Sequence, residues 1–189
     1  IYLLPMKGGD ARKLTDLPKG ASPAVWSPFG ETISFTSRTT AEDLKEKKEK
    51  GEEEKQKEEK SKVRVITRAV YRANAEGWLE PGERRHIWVV PVAEGEAGPA
   101  EAKPLTSGKF EEEGLFWSAD GSRIYFTSNR VEEPYYNPPD SNLYWVPAAG
   151  GEIQKAIDIN GPVGAPVLSP GGRSFAFTGF VNPPSRQSH

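Results

Sequence analysis

The sequence predicts an all-β fold: β-propeller blades of four antiparallel strands, about three blades' worth, making an incomplete propeller. Three observations carry this. A Ser-x-x-Gly segment recurs three times in one register. Apolar residues alternate with period 2 after each copy, which is a strand pattern and not a helical one. A second apolar unit, closed each time by Pro, recurs between the turns.

The first unit reads Trp26-Ser27-Pro28-Phe29-Gly30, Trp117-Ser118-Ala119-Asp120-Gly121 and Leu168-Ser169-Pro170-Gly171-Gly172. Seven residues on stand Ile33, Ile124 and Phe175; nine on, Phe35, Phe126 and Phe177; ten on, Thr36, Thr127 and Thr178. A short strand therefore ends at the Trp or Leu, Ser opens a turn, Gly closes it, and a second strand follows with one apolar face. The second unit reads Ile1-Tyr2-Leu3-Leu4-Pro5, Ile87-Trp88-Val89-Val90-Pro91 and Leu143-Tyr144-Trp145-Val146-Pro147. Such continuous apolar runs suit a strand buried on both faces. Gly8-Gly9 and Gly150-Gly151 follow the first and third copies as hairpin signals. Short strands then end at Leu14-Thr15, Leu105-Thr106 and Ala156-Ile157.

Residues 1–189 thus divide into a half blade (1–20), a blade carrying a charged insertion at 38–85 (21–107), a second blade (108–160) and a closing half blade (161–189). A closed propeller typically needs four to eight blades. The expectation is a part of a longer protein, or two copies that combine as a homo-oligomer. The first residue is Ile and not Met, which suggests an excised piece.

Between Glu42 and Lys62, 17 of 21 residues are charged. Leu44 is the only apolar anchor there, so the segment reads as a solvated helix or a tether, with Asp43–Lys47, Glu46–Lys50 and Glu53–Lys57 as i,i+4 pairs. The following Val63-Arg64-Val65-Ile66-Thr67-Arg68-Ala69-Val70-Tyr71-Arg72 alternates and suits an extra strand.

Composition excludes several function classes. Lys+Arg 25 against Asp+Glu 27 gives a net charge of −2, without the basic excess of a nucleic-acid binder. The absence of Cys removes disulfides and thiolate metal sites, and is compatible with a cytoplasmic location. With two histidines, His86 and His189, a multi-His metal site is also removed, and neither metal nor cofactor is expected. The longest apolar run, Ile87 to Ala93, is far shorter than the ~20 residues of a membrane helix, so no membrane partner is expected.

No Gly-x-Ser-x-Gly nucleophile elbow occurs; Gly172-Arg173-Ser174-Phe175-Ala176 lacks the second Gly. No catalytic residue is therefore assigned. His86 precedes a buried strand and reads as structural. Glu111-Glu112-Glu113 and Glu132-Glu133 read as solvated loop acids, with capture of a substrate amino terminus as the sharper alternative. Asp120-Gly121 reads as a turn, and most Trp and Tyr as blade packing. Tyr135 and Tyr136 stand apart, in a Pro-rich loop of the kind that carries recognition.

The segment Val65-Ile66-Thr67-Arg68 … Tyr71-Arg72-Ala73-Asn74-Ala75-Glu76-Gly77-Trp78 … Arg84-Arg85-His86-Ile87-Trp88-Val89-Val90 resembles the propeller of the acylaminoacyl-peptidase-like branch of the prolyl oligopeptidase family. The charged linker before it and the Trp-Ser-x-x-Gly blades do too. The blade motif alone is shared with TolB-like propellers. The resemblance implies a C-terminal α/β-hydrolase domain in the parent chain, carrying a Ser-Asp-His triad. It implies for this chain the gating and docking of peptide substrates; Arg72, Trp78, Arg84, Arg85, Tyr135 and Tyr136 are the candidate substrate contacts. The alternative is a TolB-like propeller acting as a protein-interaction scaffold without a peptidase domain.

Overall fold

Each Ser-x-x-Gly segment closes in the same way. The Ser amide donates to the carbonyl five residues on: Ser27 to Thr32 at 2.8 Å, Ser118 to Arg123 at 2.9 Å, Ser169 to Ser174 at 2.8 Å. The Ser hydroxyl accepts from the same residue's amide, at 3.1, 3.0 and 3.2 Å respectively. Each Gly amide donates back to the Ser carbonyl. Gly30, Gly121 and Gly172 adopt φ of +75°, +69° and +67°, the left-handed region where a side chain is disfavoured. Ser and Gly recur because the turn needs a short acceptor at its first position and a residue without Cβ at its last.

The computed structural model describes residues 1–50, 66, 72–73, 77–78, 83–93, 98–132, 140–159 and 161–179. Strands β1 (Tyr2–Leu3) and β2 (Arg12–Lys13) form a two-stranded sheet. Next come β3 (Val25–Trp26), β4 (Thr32–Ser37), helix α1 (Ala41–Lys50), a small hairpin of β5 (Arg72–Ala73) with β6 (Gly77–Trp78), then β7 (His86–Pro91) and β8 (Lys103–Pro104). The sheet order is β3-β4-β7-β8, so everything between Ser37 and His86 is an excursion from one antiparallel sheet. Strands β9 (Glu113–Trp117), β10 (Arg123–Ser128), β11 (Asn142–Pro147) and β12 (Gln154–Ile157) form the second four-stranded sheet, and β13 (Val163–Leu168) pairs with β14 (Phe175–Gly179). Four-strand antiparallel sheets in chain order are the expected blades.

The repeated Thr at the tenth position has one job in all three sheets. Its hydroxyl donates to the carbonyl 14 residues earlier: Thr36 to Ser22 at 2.6 Å, Thr127 to Glu113 at 3.2 Å, Thr178 to Gly164 at 3.1 Å. It ties the second strand to the chain entering the first.

Two apolar clusters lie between successive sheets. Leu14, Ile33, Phe35, Trp88 and Val90 fill one, with Leu3 and Leu17 from the first half blade packed against it. Ile87, Leu115, Trp117, Ile124, Phe126, Tyr144 and Val146 fill the other, with Val25, Val89 and Leu105. Alternation along β7 sends Ile87 and Val89 one way and Trp88 and Val90 the other, as expected of a strand covered on both faces. The Trp117 indole N–H donates to the Val25 carbonyl at 3.2 Å, joining the first strands of neighbouring blades. Trp26 and Tyr2 depart from the expectation of blade packing and are exposed, at 50% and 65%.

Helix α1 begins in a capping box. The Asp43 amide donates to Thr40 Oγ1 at 3.2 Å, and Asp43 Oδ2 accepts from the Thr40 amide at 2.7 Å. The expected Asp43–Lys47 pair gives way to other partners: Asp43 meets Lys19 at 2.9 Å, and Lys47 reaches Asp16 on the half blade. With Leu44 packed on the first core cluster, the helix is docked and not simply solvated. Residues 51–62, including Glu53 and Lys57, lie outside the described residues, as do 63–65 and 67–71 of the expected extra strand.

Gly121→Ala is expected to lower stability by about 1–2 kcal/mol, from strain at positive φ. A Cβ there would also stand 3.2 Å from the Phe29 ring. Thr127→Val should cost about 1 kcal/mol through the lost hydroxyl bond. Urea unfolding of both variants checks this; unchanged midpoints would contradict the assigned roles. Asp120 Oδ1 accepts from Ser118 Oγ at 2.6 Å and from the Ser122 amide and hydroxyl at 3.0 and 2.8 Å. These bonds, the Ser118 hydroxyl first, hold its carboxyl down at about 2. A depressed carboxyl favours folding above its unfolded value near 3.8, and that contribution is lost as pH falls through about 2. A carboxyl NMR titration should show a midpoint near 2 in the wild type, moving upward in Ser118→Ala.

Candidate functional site

At the sheet ends where β4 and β10 finish and β7, β9 and β11 begin, acids and bases gather from four segments. Glu112 immediately precedes β9 and is fully buried, with 1% exposure of its side chain. Its Oε2 accepts from Thr106 Oγ1 at 2.9 Å and contacts His86 Nδ1 at 2.9 Å. Its Oε1 accepts from the Arg130 guanidinium at 3.0 Å. Thr106 Oγ1 in turn accepts from the Ile87 amide at 2.9 Å. The Glu112 amide donates to the Arg85 carbonyl at 3.0 Å. A buried carboxylate is tolerable only with this degree of pairing.

The reading of Glu111-Glu112-Glu113 as solvated loop acids is therefore corrected for its middle member. The step from the linker into β9 turns Glu112 inward, while Glu111 and Glu113 face Arg38 at 3.8 Å and Arg85 at 3.1 Å. Both Glu112 oxygens are occupied, so the alternative role of capturing a substrate amino terminus does not fit this residue either. His86, which opens β7, contacts the buried Glu112 carboxylate through Nδ1. Thr106 and His86 both contact the same carboxylate oxygen, so the hydroxyl–imidazole–carboxylate series of a nucleophilic triad is not the arrangement here.

Arg130, just past β10, fixes the cluster to the core. Its guanidinium lies over Tyr144 at 5.0 Å, Phe110 at 5.5 Å and Phe126 at 5.9 Å from the ring centroids. Phe126 and Tyr144 stack on each other at 5.9 Å in the core between the two whole blades. Arg130 Nε is buried without a hydrogen-bond partner. The cluster is thus a polar cap on an apolar interface, joining His86 and Thr106 of the first blade to Glu112 and Arg130 of the second.

The sequence candidates fall around this cap. Arg84 donates from Nε to the Lys109 carbonyl at 3.1 Å, and Arg85 pairs with Glu113. Arg72 is exposed on β5, opposite Trp78 on β6. Arg84 and Arg85 lie beside the cap, through Lys109, Glu113 and the Glu112 amide. Tyr135 and Tyr136 lie outside the described residues. Glu112, Arg130 and Thr106 are the residues sequence reasoning missed. An acid three residues before an apolar run that ends in the Trp-Ser turn, with Arg two residues past the following strand, is the only local sign. Among the described residues no group of three or more His, Asp or Glu is placed to hold a metal ion. No described helix is long and apolar enough to cross a membrane.

This architecture is that of a TolB-like β-propeller, present in part. The structure of putative TolB from Agrobacterium tumefaciens is similar with a TM-score of 0.56, at 20% identity, covering 95% of this chain and 45% of that one. At that identity the likeness is one of fold. By sequence, the chain is 31% identical over 132 residues to the uncharacterized peptidase YuxL of Bacillus subtilis, which takes in 70% of this chain. The match spans 18% of that relative's length. No family model matches the chain.

Glu112→Ala is expected to lower stability by about 1–3 kcal/mol, because it takes the acceptor from the Thr106 hydroxyl and from a half-buried Arg130 guanidinium. Glu112→Gln, which keeps an acceptor, should cost less. Urea denaturation orders the two; an unchanged midpoint for the Ala variant would refute the cap.

Proposed function

We propose that this chain is the non-catalytic propeller part of a serine peptidase of the prolyl oligopeptidase family, in its acylaminoacyl-peptidase-like branch. In this reading it gates and docks peptide substrates for a C-terminal α/β-hydrolase domain of a cytoplasmic parent protein. The single observation that carries it is the 31% identity with a peptidase across 70% of the chain. A stack of rigid blades suits a filter, because its loops vary while its sheets stay fixed. Arg72, Arg84 and Arg85 supply guanidinium groups matched to peptide carbonyls and carboxylates. Trp78 supplies an aromatic surface. The Glu112 cap holds the strand that follows Arg84 and Arg85, and so sets where they stand.

Two measurements test this. The chain alone should neither hydrolyse acyl-peptide or aminoacyl chromogenic substrates nor react with a fluorophosphonate probe; labelling would place a serine nucleophile here and refute the reading. A fluorescent short peptide should bind by anisotropy, and Arg84→Ala combined with Arg72→Ala should weaken binding several-fold. Absence of binding would remove the docking role. The scaffold alternative separates on the reading frame beyond His189, where a Gly-x-Ser-x-Gly elbow favours the peptidase and a frame without one favours the scaffold.

A further inference from the structure

The chain between β2 and β3 makes a fixed platform at residues 16–20. The Lys19 amide donates to Thr39 Oγ1 at 3.3 Å, and the Gly20 carbonyl accepts from Ser37 Oγ at 2.6 Å. Ser37 and Thr39, at the end of β4, are buried, and the Thr39 amide donates to Ser37 Oγ at 3.2 Å. Leu17 packs on the first core cluster. The backbone that carries the Lys19 side chain is therefore held in place.

Both roots of the charged excursion meet that side chain. The Lys19 ammonium lies 2.9 Å from Asp43 Oδ2, in the first turn of α1, and 2.7 Å from Glu83 Oε1, on the returning limb. One turn further along α1, Lys47 meets Asp16 of the same platform. Platform and helix thus present opposite charges in matching order, with Leu44 packed on the core between them. Single exposed pairs contribute little. Here the side chains of Lys19, Asp43 and Glu83 are 29%, 21% and 32% exposed, so solvent and salt screen them less. The rotamer freedom of one lysine is also lost only once for two contacts.

Beyond Glu83 the limb is tied to the second blade. Arg84 donates from Nε to the Lys109 carbonyl at 3.1 Å, Arg85 meets Glu113 at 3.1 Å, and His86 meets Glu112 at 2.9 Å. Glu83 ties the same limb back to the platform. We infer that Lys19 is a positioning residue for the candidate docking groups Arg84 and Arg85: it clasps α1 and the returning limb together, so that seating of the charged helix and placement of these guanidinium groups are coupled. Its consequence for binding rests on the peptide-docking reading, whereas the clasp itself does not.

Lys19→Met keeps the stem and removes the charge. By heteronuclear NMR of the full chain, amide exchange from Leu44 to Lys47 should quicken about threefold, the Arg84 Nε–H signal should shift, and the urea midpoint should stay near that of the wild type. Lys19→Arg, which keeps the charge, should restore both signals. A fluorescent short peptide should bind Lys19→Met about threefold more weakly by anisotropy, and Lys19→Met should add no further loss to a chain already carrying Arg84→Ala and Arg85→Ala. Unchanged α1 exchange and an unmoved Arg84 signal would overturn the clasp. Moved signals with wild-type peptide affinity, in a chain where Arg84→Ala weakens binding, would overturn the positioning role. A wild-type chain that binds no peptide would remove the docking reading and the positioning role with it, while the coupling of the two limbs stands or falls on the NMR signals.

Discussion

The structure depends on one constraint: a blade has two apolar faces, and each must be covered by another blade. Ile87 and Val89 of β7 face one neighbour while Trp88 and Val90 face the other, and both clusters are closed to water. A single sheet of this composition could not stay folded in water by itself. Everything else accommodates that stacking. The Ser turns keep consecutive strands short and in register, the Thr hydroxyls tie second strands to the entry of first strands, and Trp117 bridges inner strands.

The polar cap shows how a charge is carried into such an interface. Glu112 is desolvated, and four groups from two blades compensate: Arg130, Thr106, His86 and, behind them, the Ile87 amide. Arg130 is itself spread over three aromatic rings, so its charge is shared between a carboxylate and π faces. The arrangement specifies which blade follows which, since only the pairing of these particular blades satisfies every member.

Much of this was legible in the sequence. Strand order and the four-strand grouping follow from Ser27, Ser118 and Ser169 and the apolar positions counted from them. The reason for Thr36, Thr127 and Thr178 did not, because a hydroxyl bond to a carbonyl 14 residues back leaves no trace beyond the recurrence itself. Glu112 was hidden by its neighbours: in a run of three acids, composition points to solvent, and its partners at positions 86, 106 and 130 are brought near only by stacking of sheets. The Thr40–Asp43 capping box was readable and marks the start of α1 at the residue where the charged excursion begins. Its docking through Lys47 to Asp16 was not, being a contact across 31 residues.

Strand β7 serves two interfaces at once, and this governs how the molecule comes apart. Neighbouring cores are not independent reservoirs of stability, because one six-residue segment holds a wall of each. Loosening either wall drags the shared segment out of line and withdraws support from the far side. Melting therefore spreads from blade to blade as through coupled links, by way of Ile87 to Val90.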